Sequence, residues 1–220
     1  MKYPKTLGMA AALMCVLLTV GCPPLRLRLV YDQGGYTTDG TWGFDSFYSE
    51  LHPVPGIGVT QIADDFILPA GTFPVTLSVR WWGRYDHHLE EIPTDDFTVR
   101  IYEQSCLGTM GASCGGPLAE PLEEYHVGSV TRVETGDVLQ NVGHFVVRIY
   151  QCGCKIESFR LATGKRYFLC VLNDTGAWRW SRSDSSPEGN DSSYSRNPDE
   201  WPWRAENIDF AFQILAMARP

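Results

Sequence analysis

Residues 208–214 read Ile-Asp-Phe-Ala-Phe-Gln-Ile, with a large apolar residue at every second position. In an extended strand successive side chains point to opposite faces, so the two isoleucines and two phenylalanines share one side. Residues 97–102 (Phe-Thr-Val-Arg-Ile-Tyr) and the start of 145–150 (Phe-Val-Val-Arg-Ile-Tyr) alternate in the same way. A period of two is typical of half-buried β-strands.

Further β-rich runs surround these stretches and are separated by turn signals such as Pro69-Ala70-Gly71 and Asn173-Asp174-Thr175-Gly176. We count about nine to ten short strands, and no stretch keeps a helical period over three turns. This pattern indicates an all-β protein, an antiparallel β-sandwich or a barrel. Because there is neither an internal repeat nor a linker, we expect a single domain over residues 31–220.

The composition narrows the classes of partner. The chain has 220 residues, 44% hydrophobic and 20% charged, with a formal net charge of −8. An acidic chain of this kind lacks the basic patch that nucleic acid binding requires, so we expect no nucleic acid partner.

The N-terminal segment predicts export. Lys2 and Lys5 precede an uncharged apolar run over residues 7–20, which is too short to span a bilayer and is typical of a signal peptide, assigned here to residues 1–21. The end of this segment, Leu18-Thr19-Val20-Gly21-Cys22, resembles the lipobox of bacterial lipoproteins. That resemblance implies a lipid on Cys22, and a plain export signal is the alternative.

The expected cellular location follows from this N-terminal segment. With a lipid on Cys22, residues 22–30 would be a short anchor spacer, and the lipid alone would contact the membrane. Pro23 stands where many lipoproteins kept at an inner membrane have Asp. We therefore expect the bacterial cell envelope outside the cytoplasm, with the outer membrane or cell surface favoured.

The cysteines fit an oxidising compartment. Cys106 and Cys114 flank a glycine-containing loop and could close it as a disulfide bond. Cys152 and Cys154 would lie on the same side of an extended segment, so Cys170 could form a disulfide bond with either of them. The other cysteine would then remain a free thiol. A zinc site is disfavoured because Cys-x-Cys is not the usual ligand spacing.

Several motifs resemble a secreted bacterial β-sandwich module found in surface proteins with PEP-CTERM-type or other anchors. They include Asp64-Asp65-Phe66 before Leu68-Pro69-Ala70-Gly71, Val79-Arg80-Trp81-Trp82-Gly83, and Asp209-Phe210-Ala211-Phe212-Gln213. The resemblance covers nearly all of the chain after the signal and implies a jelly-roll-like sandwich. Such modules have no established catalytic residues, so no active site is carried over.

Aromatic residues form the first candidate site. Trp178 and Trp180 would share one face of a strand, as would Trp201 and Trp203, and Tyr194 interrupts a polar stretch. Sugar rings pack their C–H faces on such aromatic platforms. The alternative is that these rings fill the sandwich core.

Acidic residues form the second candidate site, for Ca²⁺. Hard cations take six to eight oxygen ligands, which flexible acidic loops can supply. The alternatives are a solvated acidic loop, and carboxylates at strand ends, Asp64-Asp65 or Asp95-Asp96. The loop candidates are Asp184, Glu188, Asn190, Asp191 and Asp199.

Motifs for catalysis are missing from the sequence: there is no Gly-x-Ser-x-Gly, no His-Glu-x-x-His and no phosphate-binding loop. The favoured hypothesis is therefore a non-catalytic, lipid-anchored β-sandwich outside the cytoplasm that binds a glycan or a surface protein. A secreted carbohydrate-active enzyme, either a glycosidase or a lyase, is one alternative. A purely structural envelope or assembly protein is the other.

Overall fold

The computed structural model describes residues 26–33, 46–48, 61–85, 94–105, 115–142, 145–157, 161–175, 178–183, 193–196, 203–206 and 208–218. These residues form thirteen strands and no helix, so none of their segments is a helix that could cross a membrane. The strands are β1 (Arg26–Asp32), β2 (Ser46–Tyr48), β3 (Gln61–Ile67), β4 (Thr72–Tyr85), β5 (Phe97–Glu103), β6 (Glu123–Gly128), β7 (Val133–Val142), β8 (Phe145–Glu157), β9 (Arg166–Asn173), β10 (Trp178–Ser181), β11 (Ser193–Arg196), β12 (Arg204–Glu206) and β13 (Phe212–Ala218).

The strands pair into two antiparallel sheets of seven and six strands. In the first sheet, the long strand β4 pairs with β8 along one edge, and with β13 and then β10 along the other. Beyond these strands, β7 pairs with β8, β1 with β13, and β2 with β10. The second sheet has the order β12-β11-β3-β9-β5-β6. The predicted all-β antiparallel sandwich is confirmed.

The core lies between the two sheets and follows the alternation of the sequence. Phe212 and Ile214 of the first sheet face the second sheet, as the 208–214 pattern predicts, and are fully buried with Trp81. Val99 and Leu169 meet them from the second sheet. Burial of these apolar faces supplies the main driving force for folding.

The structure has more strands than the nine to ten expected, because the extra ones are short. β2, β11 and β12 have three or four residues each, too few for a visible alternation. β1 starts at Arg26, inside the segment predicted to be a spacer, and pairs with β13. Its first four residues are exposed, so the sequence Arg-Leu-Arg-Leu shows no buried face there.

The expected disulfide bond of Cys170 is corrected by the structure. Cys152 and Cys154 do share one side of β8, as predicted, and face the core between the sheets. Cys170 lies on β9 and points to the opposite, outer face of the second sheet, so it forms no bridge with either. Burial raises the pKa of Cys154 to about 12, and raises the pKa of the Cys152 thiol as well.

Gly83 allows the closest approach in the core. A Cβ atom at this position of β4 would overlap the indole of Trp178 and the carbonyl oxygen of Arg179, both on the paired strand β10. At Gly153 of β8, a Cβ would meet the Val79 carbonyl oxygen at 3.0 Å, a less severe contact than at Gly83. Glycine at residue 83 is therefore a packing requirement.

Gly83→Ala should lower the free energy of unfolding by about 3 kcal/mol, because the added methyl group overpacks a buried site bounded by backbone. Gly153→Ala is the matched control and should cost about 1 kcal/mol. Urea denaturation followed by tryptophan fluorescence measures both. Equal losses in the two variants would contradict the close packing of Trp178 on Gly83.

Candidate functional site

Trp178 and Trp180 do share one face of β10, but that face is the core. Both side chains are 0% exposed. The Trp178 ring meets Phe97 edge-to-face at 5.2 Å, and the Trp180 indole N–H donates to the carbonyl oxygen of Ala211 at 3.0 Å. The prediction that these two rings form a binding platform is therefore wrong. The spacing of two residues determines that both rings lie on one face of β10, whereas packing of the opposing sheet determines that this face is buried.

A second apolar cluster covers the outer face of the second sheet. We call it the outer cluster; it consists of Ala63, Tyr102, Phe168, Cys170, Leu172 and Trp203, with Tyr194 packed against it. It arises because β9 is apolar on both sides: alternate residues point to the core and to the outside. Both faces of such a strand have to be shielded from water by other parts of the chain.

Trp203 is the second predicted platform residue that the structure corrects. Its ring is only 7% exposed and packs edge-to-face on Tyr102 at 5.3 Å, and its indole N–H donates to the Leu118 carbonyl oxygen at 3.0 Å. The Arg196 guanidinium lies 4.4 Å from the ring centre. Trp203 is thus fixed within the outer cluster and offers no open face to a sugar.

Arg196 joins three parts of this cover. It donates from Nη1 to the Ala119 carbonyl oxygen (2.8 Å), from Nε to Oε1 of Gln61 (3.0 Å) and from Nη2 to the Tyr102 hydroxyl (3.2 Å). A planar guanidinium can satisfy three acceptors and stack on an aromatic ring at the same time. Arg196 therefore holds the segment around residue 119 on the outer cluster.

Tyr194 is the predicted platform residue that remains partly open. It is half-buried on β11, with its ring edge-to-face on Phe168 at 5.3 Å. Gly116 passes so close that a Cβ there would lie 2.8 Å from the ring. Burial raises the pKa of Tyr194; the charge of Asp65 adds to this rise, and that of Arg166 opposes it.

A polar cleft lies further along β9, since Arg166, which lines it, is two residues from Phe168, the ring on which Tyr194 packs. Its volume is about 350 Å³, and we call it the Arg166 cleft after this arginine. Arg166 is held in place by an ion pair of 3.2 Å with the fully buried carboxylate of Asp65. The residues lining the cleft are Glu103, Gln104, Gly164, Lys165, Arg166 and Tyr167.

A buried polar network on the other side of the core has a structural role. Oδ1 of Asp95 accepts hydrogen bonds from the Tyr85 hydroxyl and from Nδ2 of Asn173 (3.2 Å), and Oδ2 lies 3.3 Å from Nε of Arg132. Burial, with the neighbouring carboxylate, raises the pKa of the Tyr85 hydroxyl. The Asp95 carboxylate is thus already paired, which disfavours its proposed use as a calcium ligand.

Several predicted residues lie outside the described part of the chain. They are the signal segment 1–21, Cys22, the proposed pair Cys106 and Cys114, Trp201, and the acidic loop residues Asp184, Glu188, Asn190, Asp191 and Asp199. Within the described ranges, no three His, Cys, Asp or Glu side chains lie together in a way that could hold a metal ion. A calcium site in the acidic loop stays a prediction.

Comparison with known proteins yields no relative: no family model matches the chain, and no curated protein and no solved structure is significantly similar to it. The resemblance to anchored surface modules therefore stays a prediction.

Sequence reasoning missed the Arg166 cleft. Lys165 and Arg166 follow the turn signal at Gly164, whereas Glu103 and Gln104 end a different strand, and only the pairing of β5 with β9 brings them together. Glu103 pairs directly with Tyr167 in this register. The one sequence signal for this cleft was the polar residues at the end of β5 and at the start of β9.

Arg196→Lys should lower the free energy of unfolding by about 2 kcal/mol, because an ammonium group cannot reach three separate acceptors and stack on Trp203. Urea denaturation measures this loss. Arg204→Lys on the exposed strand β12 is the control and should stay within about 0.5 kcal/mol of the wild type. If Arg196→Lys matched that control, Arg196 would not hold the cover of the outer cluster.

Proposed function

We propose that this chain is a non-catalytic, lipid-anchored β-sandwich of the bacterial cell envelope that binds a glycan. The proposed site is the ring of Tyr194 together with the Arg166 cleft. The observation that supports it is the position of Arg166, which lines the cleft, is held by an ion pair with Asp65, and stands two residues along β9 from Phe168, the ring on which Tyr194 packs.

The chemistry of the site suits a sugar. A partly open tyrosine ring can pack on the C–H face of a pyranose, and planar polar side chains can bind the hydroxyl groups around its edge. Glu103 supplies acceptors, Lys165 and Arg166 supply donors, and Gln104 supplies both. A cleft of this size with a few convergent polar groups is typical of a binding site.

The carboxylates near the cleft support binding without turnover. Glycoside hydrolysis usually needs a pair of carboxyl groups, one on each side of the scissile bond. Among the six described residues that line the cleft, Glu103 is the single carboxylate. Asp65, the carboxylate paired with Arg166, is fully buried.

The anchor is supported by the sequence before the fold. Cys22 closes the lipobox-like segment, and β1 begins at Arg26, so three residues separate the proposed lipid from the first sheet. Such a short connection would hold the sandwich close to the bilayer.

Lys165→Ala should weaken polysaccharide binding about tenfold, because it removes a charged hydrogen-bond donor from the cleft. Lys155→Ala is the matched control: Lys155 is equally exposed but lies on β8 of the first sheet, and binding should be unchanged. Tyr194→Ala should weaken binding and Tyr194→Phe should not, since only the former removes the ring.

The assay is a pull-down of the full chain, purified in detergent, on peptidoglycan, chitin, cellulose and xylan, with the supernatant checked for released sugar. Loss of binding in both lysine variants, or in neither, would contradict the Arg166 cleft as the site. Release of sugar would favour the alternative of a carbohydrate-active enzyme.

Cys22→Ser should abolish lipid attachment when the full chain is expressed in a bacterium that is fed an alkyne-labelled fatty acid. The wild type should carry the label and sediment with membranes, whereas the variant should do neither. Cys106→Ser is the control, because a cysteine in the domain should not receive the lipid. A labelled Cys22→Ser variant would contradict the proposed anchor.

A further inference from the structure

Strands β1 and β13 carry an apolar stripe on the outer face of the first sheet. Leu27 and Leu29 are 46% and 49% exposed, and they pair with Met217 and Leu215 of β13. Because Ile214 faces the core and side chains alternate along a strand, Leu215 and Met217 point outward, and their partners on β1 share that face. We call these four residues the β1 stripe: Leu27, Leu29, Leu215 and Met217.

The β1 stripe differs from the other exposed apolar residues of the described chain. Leu118 and Val133 are the remaining large hydrophobic side chains that are exposed, and they lie on two separate segments. Single apolar residues on a surface are normal, whereas contiguous ones mark contact with a partner or a membrane. The β1 stripe is contiguous because cross-strand pairing joins its members.

The charges beside the stripe are positive. Arg26 and Arg28 alternate with the two leucines of β1 and are exposed. The one carboxylate on β1 and β13 is that of Asp32 at the opposite end of β1, where it accepts a hydrogen bond from Gln213 at 3.1 Å. This corner is therefore basic, although the whole chain has a net charge of −8. Arginine side chains beside an apolar contact can extend to a layer of phosphate groups.

The proposed lipid would lie close to this corner. Four chain steps separate Cys22 from Arg26, the first residue of β1. An extended chain of that length spans at most about 14 Å. With a lipid on Cys22 at the bilayer surface, the start of the β1 stripe cannot move far from the headgroups.

We propose that the β1 stripe rests on the anionic phospholipid surface that holds the lipid, with Arg26 and Arg28 at the phosphate groups. This inference rests on the lipid anchor of the proposed function. The stripe would enter the boundary between headgroups and acyl chains, the level at which the apolar face of an interfacial helix lies. The membrane would then contact the first sheet as well as the lipid.

This contact would orient the proposed glycan site. Tyr194 packs on the outer face of the second sheet, whereas the β1 stripe lies on the outer face of the first. The two faces are on opposite sides of the sandwich. Docking through the stripe would therefore turn the ring of Tyr194 away from the bilayer, where a polysaccharide can reach it.

The test uses the full chain, purified in detergent and reconstituted into vesicles of phosphatidylethanolamine and phosphatidylglycerol. Leu29→Cys and Leu118→Cys chains are labelled with an NBD maleimide, and the wild type treated alike supplies the background from native cysteines. Phospholipids with a doxyl group near the headgroup should lower the NBD emission about threefold at residue 29, because the stripe enters that layer. They should leave the emission at residue 118 unchanged.

A second substitution shows whether the apolar stripe causes this quenching. Leu27→Glu in the Leu29→Cys chain should remove it, because anionic headgroups repel a carboxylate. Leu118→Glu in the same chain is the matched control and should keep it. If Leu27→Glu left the quenching intact, the β1 stripe would not be the contact.

Labelled fatty acid on Cys22, measured on the same samples, separates this inference from the anchor. If the chain carried the fatty acid and residues 29 and 118 were quenched equally, or neither was quenched, the docking would be wrong and the anchor would stand. If the chain carried no fatty acid, the anchor would be wrong and the docking would fall with it.

Discussion

Strand β9 is apolar on both faces, so other parts of the chain have to pack against each of them. Tyr167, Leu169 and Val171 complete the core, whereas Phe168, Cys170 and Leu172 have to be covered from outside. An uncovered patch of this kind would favour aggregation. The side chains of Tyr194 and Trp203 lie on this outer face, and Arg196 stacks on Trp203 and binds the segment around residue 119. The proposed binding site combines Tyr194, which this cover leaves partly exposed, with the cleft at Arg166, two residues along β9 from Phe168.

The sequence predicts the sandwich well, because period-two alternation is a local property that each strand carries by itself. It also predicts correctly that Trp178 and Trp180 share a face, and that Cys152 and Cys154 do. Which face becomes the interior is decided by strands far away in the chain. The burial of Trp203 depends on Leu118 and Tyr102, neither of which is close to it in sequence. Non-local contacts of this kind leave no trace in spacing.

For the buried carboxylates too, the local sequence identifies the acidic pairs, whereas residues distant in the chain determine their partners. Asp64-Asp65 and Asp95-Asp96 look alike in the sequence, as acidic pairs at strand ends. In the fold, Asp95 and Asp65 each have an arginine partner, whereas the Asp209 carboxylate has no hydrogen-bond partner among the described residues. An acidic residue is therefore informative only once its partners are known.

The pairing of β1 with β13 has a mechanical consequence. Arg26 lies opposite Ala218, so the chain enters and leaves the first sheet at the same corner. A force applied between these two residues would open the hydrogen bonds of the pair one after another, from that corner inward. If the two residues lay at opposite corners, the same force would act on all of these hydrogen bonds at once. The sandwich is therefore weak towards tension along this one direction, and the register shift between Leu29 and Tyr31 marks the first point at which such an opening could pause.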